Sequence, residues 1–120
     1  MTTLSIGETR RVDPHSWGRF TAFGSDRVEA ELRDIVGDVV AALEPNLRHE
    51  PVRCLALIGG YGRGEGGVET TASGEERPHN NLDFLLIGNR AATPETMSRL
   101  KSTLDPLLHR LSEKYGIGLD

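Results

Sequence analysis

The chain has 120 residues, enough for one domain with a modest core, and its 37% apolar content suits a globular fold. A net charge of −4 and a pI near 5.5 exclude the broad basic surface of a non-specific nucleic-acid binder, although a focused nucleic-acid site remains compatible. A single cysteine, Cys54, excludes a disulfide framework. No apolar run approaches membrane-spanning length and the first residues carry no apolar signal segment, so a cytoplasmic protein with no membrane partner is expected.

Residues 1–24 read as a polar N-terminal arm, with Trp17, Phe20 and Phe23 expected to pin it onto the domain. The folded domain is expected over 25–120. Ser25-Asp26 is an N-cap signal, and Val28, Leu32, Ile35, Val36, Val39, Val40 and Leu43 then recur at helical spacing. Glu29, Glu31, Arg33, Asp34 and Asp38 fall on the other, polar face, and the stripe ends near Pro45-Asn46. Val52 to Ile58 is short, continuously apolar and bounded by Pro51 and Gly59, which predicts a buried strand containing Cys54.

From Gly66 to Asn80 the chain is polar, rich in Gly and Pro and without periodicity, so a mobile loop is expected there. Leu82 to Ile87 predicts a second strand. Thr93-Pro94-Glu95 opens a second helix, whose stripe is Met97, Leu100, Leu104, Leu107, Leu108 and Leu111. Pro106 predicts a kink, or a restart capped by Asp105, and Gly116 is the stop signal. Ile117 to Asp120 reads as the opening of a third strand, as in the front part of a longer protein. This order predicts an α/β or α+β fold, a small mixed sheet with helices packed on it.

The chemistry concentrates in Gly59-Gly60-Tyr61-Gly62-Arg63-Gly64-Glu65-Gly66-Gly67, which follows the first strand. A strand running into a glycine-rich turn brings backbone N–H groups against phosphate. A P-loop requires Gly-Lys-Ser/Thr, which this run lacks. Gly62, Gly64 and Gly67 match a dinucleotide fingerprint literally, but Val68 to Gly74 offers no apolar stripe for the helix it must open.

A third reading fits better. The string Leu57-Ile58-Gly59-Gly60-Tyr61-Gly62-Arg63-Gly64-Glu65-Gly66 resembles the strand and Gly-Gly turn of the DNA polymerase β-like nucleotidyltransferases. Asn81-Leu82-Asp83-Phe84-Leu85-Leu86 is similar to that family's second motif, normally Asp-x-Asp or Asp-x-Glu. Gly118-Leu119-Asp120 is similar to the third-strand segment that adds a carboxylate. The resemblance covers residues 52–120 and implies the nucleotidyltransferase fold, with Mg²⁺-dependent transfer of a nucleoside monophosphate from a nucleoside triphosphate (NTP) to an acceptor hydroxyl. The family's acceptors are proteins, small molecules such as antibiotics, and RNA ends. Its small members that modify a partner toxin are nearest in size.

The resemblance further implies that Gly59 and Gly60 hold the triphosphate, with Arg63 and Glu65 in the same turn. Asp83, Asn81 and Asp120 would face a two-ion Mg²⁺ site. Carboxylates two apart on a strand share a face, and Mg²⁺ takes oxygen ligands. Two departures stand out: Asn81 replaces the first metal carboxylate, and twenty residues separate Gly60 from Asn81, longer than in the family's small members. The first leaves open a silenced enzyme, natural or by an isosteric Asp-to-Asn exchange. It equally leaves open a degenerate module that binds nucleotide or a partner protein without turnover. Plainer readings also stand: a strand-start cap for Asp83, a charged chain end for Asp120, and a surface pair for Arg63 and Glu65. The four histidines show no metal-ligand spacing.

Overall fold

The computed structural model describes residues 2–6, 10–11 and 14–120. Ser25 caps the first helix, accepting a hydrogen bond from the Val28 amide at 3.3 Å, and helix α1 runs over Asp26–Leu47. It passes through Pro45, which forfeits one backbone bond, because Leu47 beyond it is buried in the core. Helix α3, over Pro94–Tyr115, starts on Thr93, which accepts from the Thr96 amide at 3.1 Å. It ends on Gly116 in the left-handed region at φ 66°.

The restart expected at Pro106 does not occur. Pro106 and Ser102, whose carbonyl loses its partner, are both on the exposed side, where water can satisfy that oxygen. Asp105 pairs instead with Lys101 one turn back, at 2.7 Å.

Strands β1 (Thr2–Ile6), β2 (Arg10–Arg11), β3 (Val52–Ile58) and β6 (Asp83–Gly88) form one sheet in the order β2-β1-β3-β6. All named pairs are antiparallel, and an isolated parallel bridge joins Leu82 to Leu119. The fold is α+β, as the order of elements predicts. The N-terminal residues give the sheet two strands, β1 and β2, that the sequence reading did not anticipate. Of the arm's aromatics, Trp17 and Phe20 pack edge-to-face in the core, whereas Phe23 is 96% exposed and pins nothing.

Strands β4 (Val68–Thr70) and β5 (Glu76–Pro78) form a separate antiparallel hairpin where a structureless loop was expected. Ahead of the hairpin, the one-turn helix α2 (Gly59–Gly62) follows β3 directly.

Both long helices lie on one face of the sheet. Leu32, Val36, Val39 and Leu43 of α1 and Leu100, Leu104 and Leu108 of α3 meet Leu4, Leu55, Leu57, Leu82 and Leu119 in one cluster. Because strand side chains alternate, Asn81, Asp83 and Asp120, which flank Leu82 and Leu119, face away from the helices. Among the described residues, no helix is long and apolar enough to cross a membrane.

Candidate functional site

Strands β3 and β6 pair so that Ile58, the last residue of β3, lies opposite Asp83, the first of β6. That register brings the glycine-rich turn against the acidic strand head. Gly59 has φ 73°, a conformation L-residues rarely adopt, and a Cβ there would sit 3.7 Å from Asp83 Oδ2. Gly60, Tyr61, His79, Asn80, Asn81 and Asp83 line a polar recess of about 500 Å³. The larger concavity, about 730 Å³ between α3 and β6, is walled chiefly by Phe84, Leu86, Met97, Leu104 and Leu108. The polar recess is the one in which the glycine turn and the strand-head polar groups converge.

Asp120 reaches the same face through the 118–120 segment. The Leu82 amide donates to Gly118 O at 2.9 Å, the Asp120 amide to Leu82 O at 3.0 Å, and the Phe84 amide to Asp120 O at 3.1 Å. These bonds set Asp120 beside Asp83 across adjacent strands. Asn81 packs directly on Gly118, where a Cβ would fall 2.2 Å from Asn81 Oδ1, and its Nδ2 approaches Asp120 Oδ2 at 3.4 Å. The amide therefore offers a donor to Asp120.

Of the residues singled out in the sequence, Gly60, Asn81 and Asp83 line the recess and Gly59 abuts Asp83, whereas Asp120 lies beside Asp83 but lines the larger concavity. Arg63 and Glu65 do not line the recess. They pair with each other at 3.3 Å on the surface, 58% and 65% exposed, an arrangement worth little to stability. Arg63 also closes α2, its amide donating to Gly59 O and Gly60 O.

Two residues important to the site were not read from the sequence. Tyr61 is buried, and its hydroxyl donates to Gly67 O at 2.6 Å while accepting from the His79 and Asn80 amides at 3.0 Å each. Its place within a glycine string was the available signal, since a lone aromatic there has no helical stripe to join.

Glu29, expected on the polar face of α1, is 5% exposed. Its carboxylate accepts from the Phe20 amide at 2.8 Å, the Thr21 amide at 2.9 Å and the Thr21 hydroxyl at 2.5 Å. The segment it holds in turn braces the glycine run: Gly66 N donates to Phe20 O at 2.9 Å, and Thr21 bridges Gly66 in parallel. Nothing in the helical periodicity marks Glu29 as different from Glu31.

The hairpin is tied at both ends. His79 N donates to Gly67 O at 3.0 Å at its base. At its far end Glu76 Oε2 accepts the Ser25 amide at 2.7 Å, and Arg27 donates to Glu76 O. The Ser25 backbone bond is the main cause that holds the Glu76 carboxyl below the usual carboxylate range.

No protein-family model, curated protein or solved structure matches this chain. The site must therefore be read from its own chemistry. Among the described residues, no three His, Cys, Asp or Glu side chains converge as a metal-binding group. The donor set on the outer face is two carboxylates, Asp83 and Asp120, with the Asn81 amide beside them. Two carboxylates with open solvent around them suit one hard divalent cation that completes its shell with water and phosphate oxygens.

Proposed function

We propose that this chain is a nucleotidyltransferase-like domain that binds a nucleoside triphosphate and one divalent cation at the recess between Gly59-Gly60 and Asp83. The observation that carries this reading is the placement of the glycine backbone directly against the Asp83 carboxylate. A triphosphate needs close backbone approach, which glycines allow, and its charge needs a cation held by neighbouring oxygens. Asp83 and Asp120 would hold that cation. When bound, it would neutralise the phosphates and polarise the phosphoryl centre. In the reaction the acceptor hydroxyl oxygen bonds to the α-phosphorus, the bond to the bridging oxygen breaks, pyrophosphate leaves, and the hydroxyl proton passes to solvent. The chain's part is to orient the triphosphate along the glycine turn and to place its two carboxylates beside it. The cytoplasm, with its pools of NTP and Mg²⁺, is the matching compartment.

A second reading, binding without turnover, is favoured by one specific contact. Asn81 directs Nδ2 to Asp120, so the amide satisfies a carboxylate where a third negative charge would strengthen a cation site.

Binding separates from turnover by experiment. Calorimetric titration of the chain with ATP, GTP, CTP and UTP in Mg²⁺ reads binding, and pyrophosphate release reads turnover. Gly60→Ala is the control at the site. Its Cβ would meet Glu65 O and Gly66 Cα at 3.5 Å, ordinary contact distance, so the fold should survive while the recess is narrowed. Binding by the parent chain that Gly60→Ala weakens supports the reading. Absence of binding for all four nucleotides overturns it. Binding without pyrophosphate release selects the non-catalytic reading.

A further inference from the structure

Tyr61 is 2% exposed although it belongs to a run of small and polar residues. Its ring sits against Gly66, where a Cβ would overlap it, 1.9 Å from Cδ1. A phenol has one donor and two acceptor positions, and here all three are used: Gly67 O takes the proton, and the His79 and Asn80 amides fill the lone pairs. The hydroxyl therefore has no capacity left for a ligand. Its bonds instead join the glycine turn to the two residues that immediately precede Asn81. Thirteen residues, including the whole β4–β5 hairpin, lie between Gly66 and Asn80, and the phenol spans that gap in one step.

From this geometry we infer that Tyr61 is the positioning residue of the site. Its hydroxyl fixes Asn81 and Asp83 relative to Gly59 and Gly60, and ligand affinity depends on it although it contacts no ligand. This rests on the nucleotide-site reading above. The hairpin is then a closed appendage, since its two ends are clamped at Gly67 and Asn80 independently of its length. Asn81 is set from both sides, by the Asn80 amide on the phenol and by the glycine at 118 that admits its side chain.

The test is Tyr61→Phe in the full chain, compared with Tyr115→Phe. Tyr115 also donates its hydroxyl in a side-chain contact, to Asp38, but between the two long helices and away from the recess. Amide exchange and the NMR signals of the Asn81 side-chain amide and the Asp83 amide are read without ligand, and Mg²⁺-ATP affinity is read by titration. In Tyr61→Phe the Asn80 amide should exchange faster, whereas His79 keeps Gly67 O as acceptor; the Asn81 and Asp83 signals should move, and affinity should fall about tenfold, the scale of lost supporting contacts. Tyr115→Phe should leave all three unchanged.

Unchanged exchange at Asn80, or unmoved Asn81 and Asp83 signals, overturns the inference. So does an affinity loss equal in the two variants, which would mark a general effect of destabilisation. If the parent chain binds no nucleotide, the proposed function fails. The exchange and NMR readings then still decide whether the phenol positions the strand head. Should Tyr61→Phe fail to fold, amide exchange in the parent chain decides: an Asn80 amide slower than those of the exposed hairpin turn supports the inference, and one as fast as theirs overturns it.

Discussion

Removing the Glu29 carboxylate gives the sharpest quantitative test of how the glycine-rich turn is supported. Glu29 accepts three hydrogen bonds from Phe20 and Thr21 in a buried setting. In Glu29→Ala the Thr21 hydroxyl can turn, since it also accepts the Gly24 amide at 2.9 Å. The Phe20 and Thr21 amides cannot turn, and each buried donor left unpaired costs about 1–3 kcal/mol. The sum is about 4 kcal/mol, a large share of the roughly 5–15 kcal/mol that holds a domain folded. At roughly 4 °C per kcal/mol for a domain of this size, the melting temperature should drop by about 15 °C. Glu29→Gln should cost about half as much, because one oxygen still serves Thr21 while the new NH₂ faces the Phe20 N–H. The assay is thermal unfolding by circular dichroism, with amide exchange at Gly66 as a local reporter because its partner is Phe20 O. An ordinary surface glutamate would change stability by no more than about 0.5 kcal/mol. A Glu29→Ala protein that melts within about 2 °C of the parent would refute the argument, since that shift corresponds to a surface substitution.

Gly66→Ala should destabilise by about 3 kcal/mol or more in denaturant titration, because its methyl meets the Tyr61 ring and neither backbone nor ring has room to yield. Asn81→Asp should lower the melting temperature without metal and make it rise with Mg²⁺, since a third carboxylate repels Asp120 until a cation joins them. Identical melting curves for both forms with and without Mg²⁺ would remove the cation site. The Glu76 latch should open in acid. Its carboxyl is held low by the Ser25 amide, so its contribution is complete above the ordinary carboxylate value and is lost as pH falls through the lowered one. The Ser25 amide resonance should titrate in that window, and Glu76→Gln should abolish the transition.

The parts of the fold legible in the sequence are those written as long periodic patterns. The Val28-to-Leu43 stripe, the Ser25 and Thr93 caps, and the Gly116 stop correspond to α1 and α3 residue by residue. The apolar run 52–58 and the run 82–87 correspond to adjacent strands. What could not be read is short or depends on contacts distant in sequence. Strand β1 is five residues whose place between β2 and β3 is set by pairing with β3, fifty or more residues away. The β4–β5 hairpin buries almost no apolar surface, so no hydrophobic pattern announces it. It is held instead by Tyr61, Ser25 and Arg27, which hydrogen-bond to it from outside. Glu29 and Glu31 look alike on a helical wheel, and only the 19–21 segment folding over one of them makes it a buried anchor.

The same distinction applies within the site. Gly59, Gly60, Asn81 and Asp83 could be nominated from local sequence because each lies at the end of a strand. Their meeting follows from the register that puts Ile58 opposite Asp83. Asp120 joins them only through three backbone bonds between residues 118–120 and 82–84. Arg63 and Glu65, nominated on the same local grounds, lie past the turn of α2, where the chain has already swung away from Asp83, and they find each other. Asn81 then sets the electrostatic character of the face. Its neutral amide donates to Asp120 and packs on Gly118, so the two carboxylates sit side by side with a donor at Asp120. That arrangement is stable without a cation, whereas three carboxylates would depend on one. On the proposed function, a cation would be held most strongly when a triphosphate brings its own oxygens to complete the shell, so metal and nucleotide binding would reinforce each other.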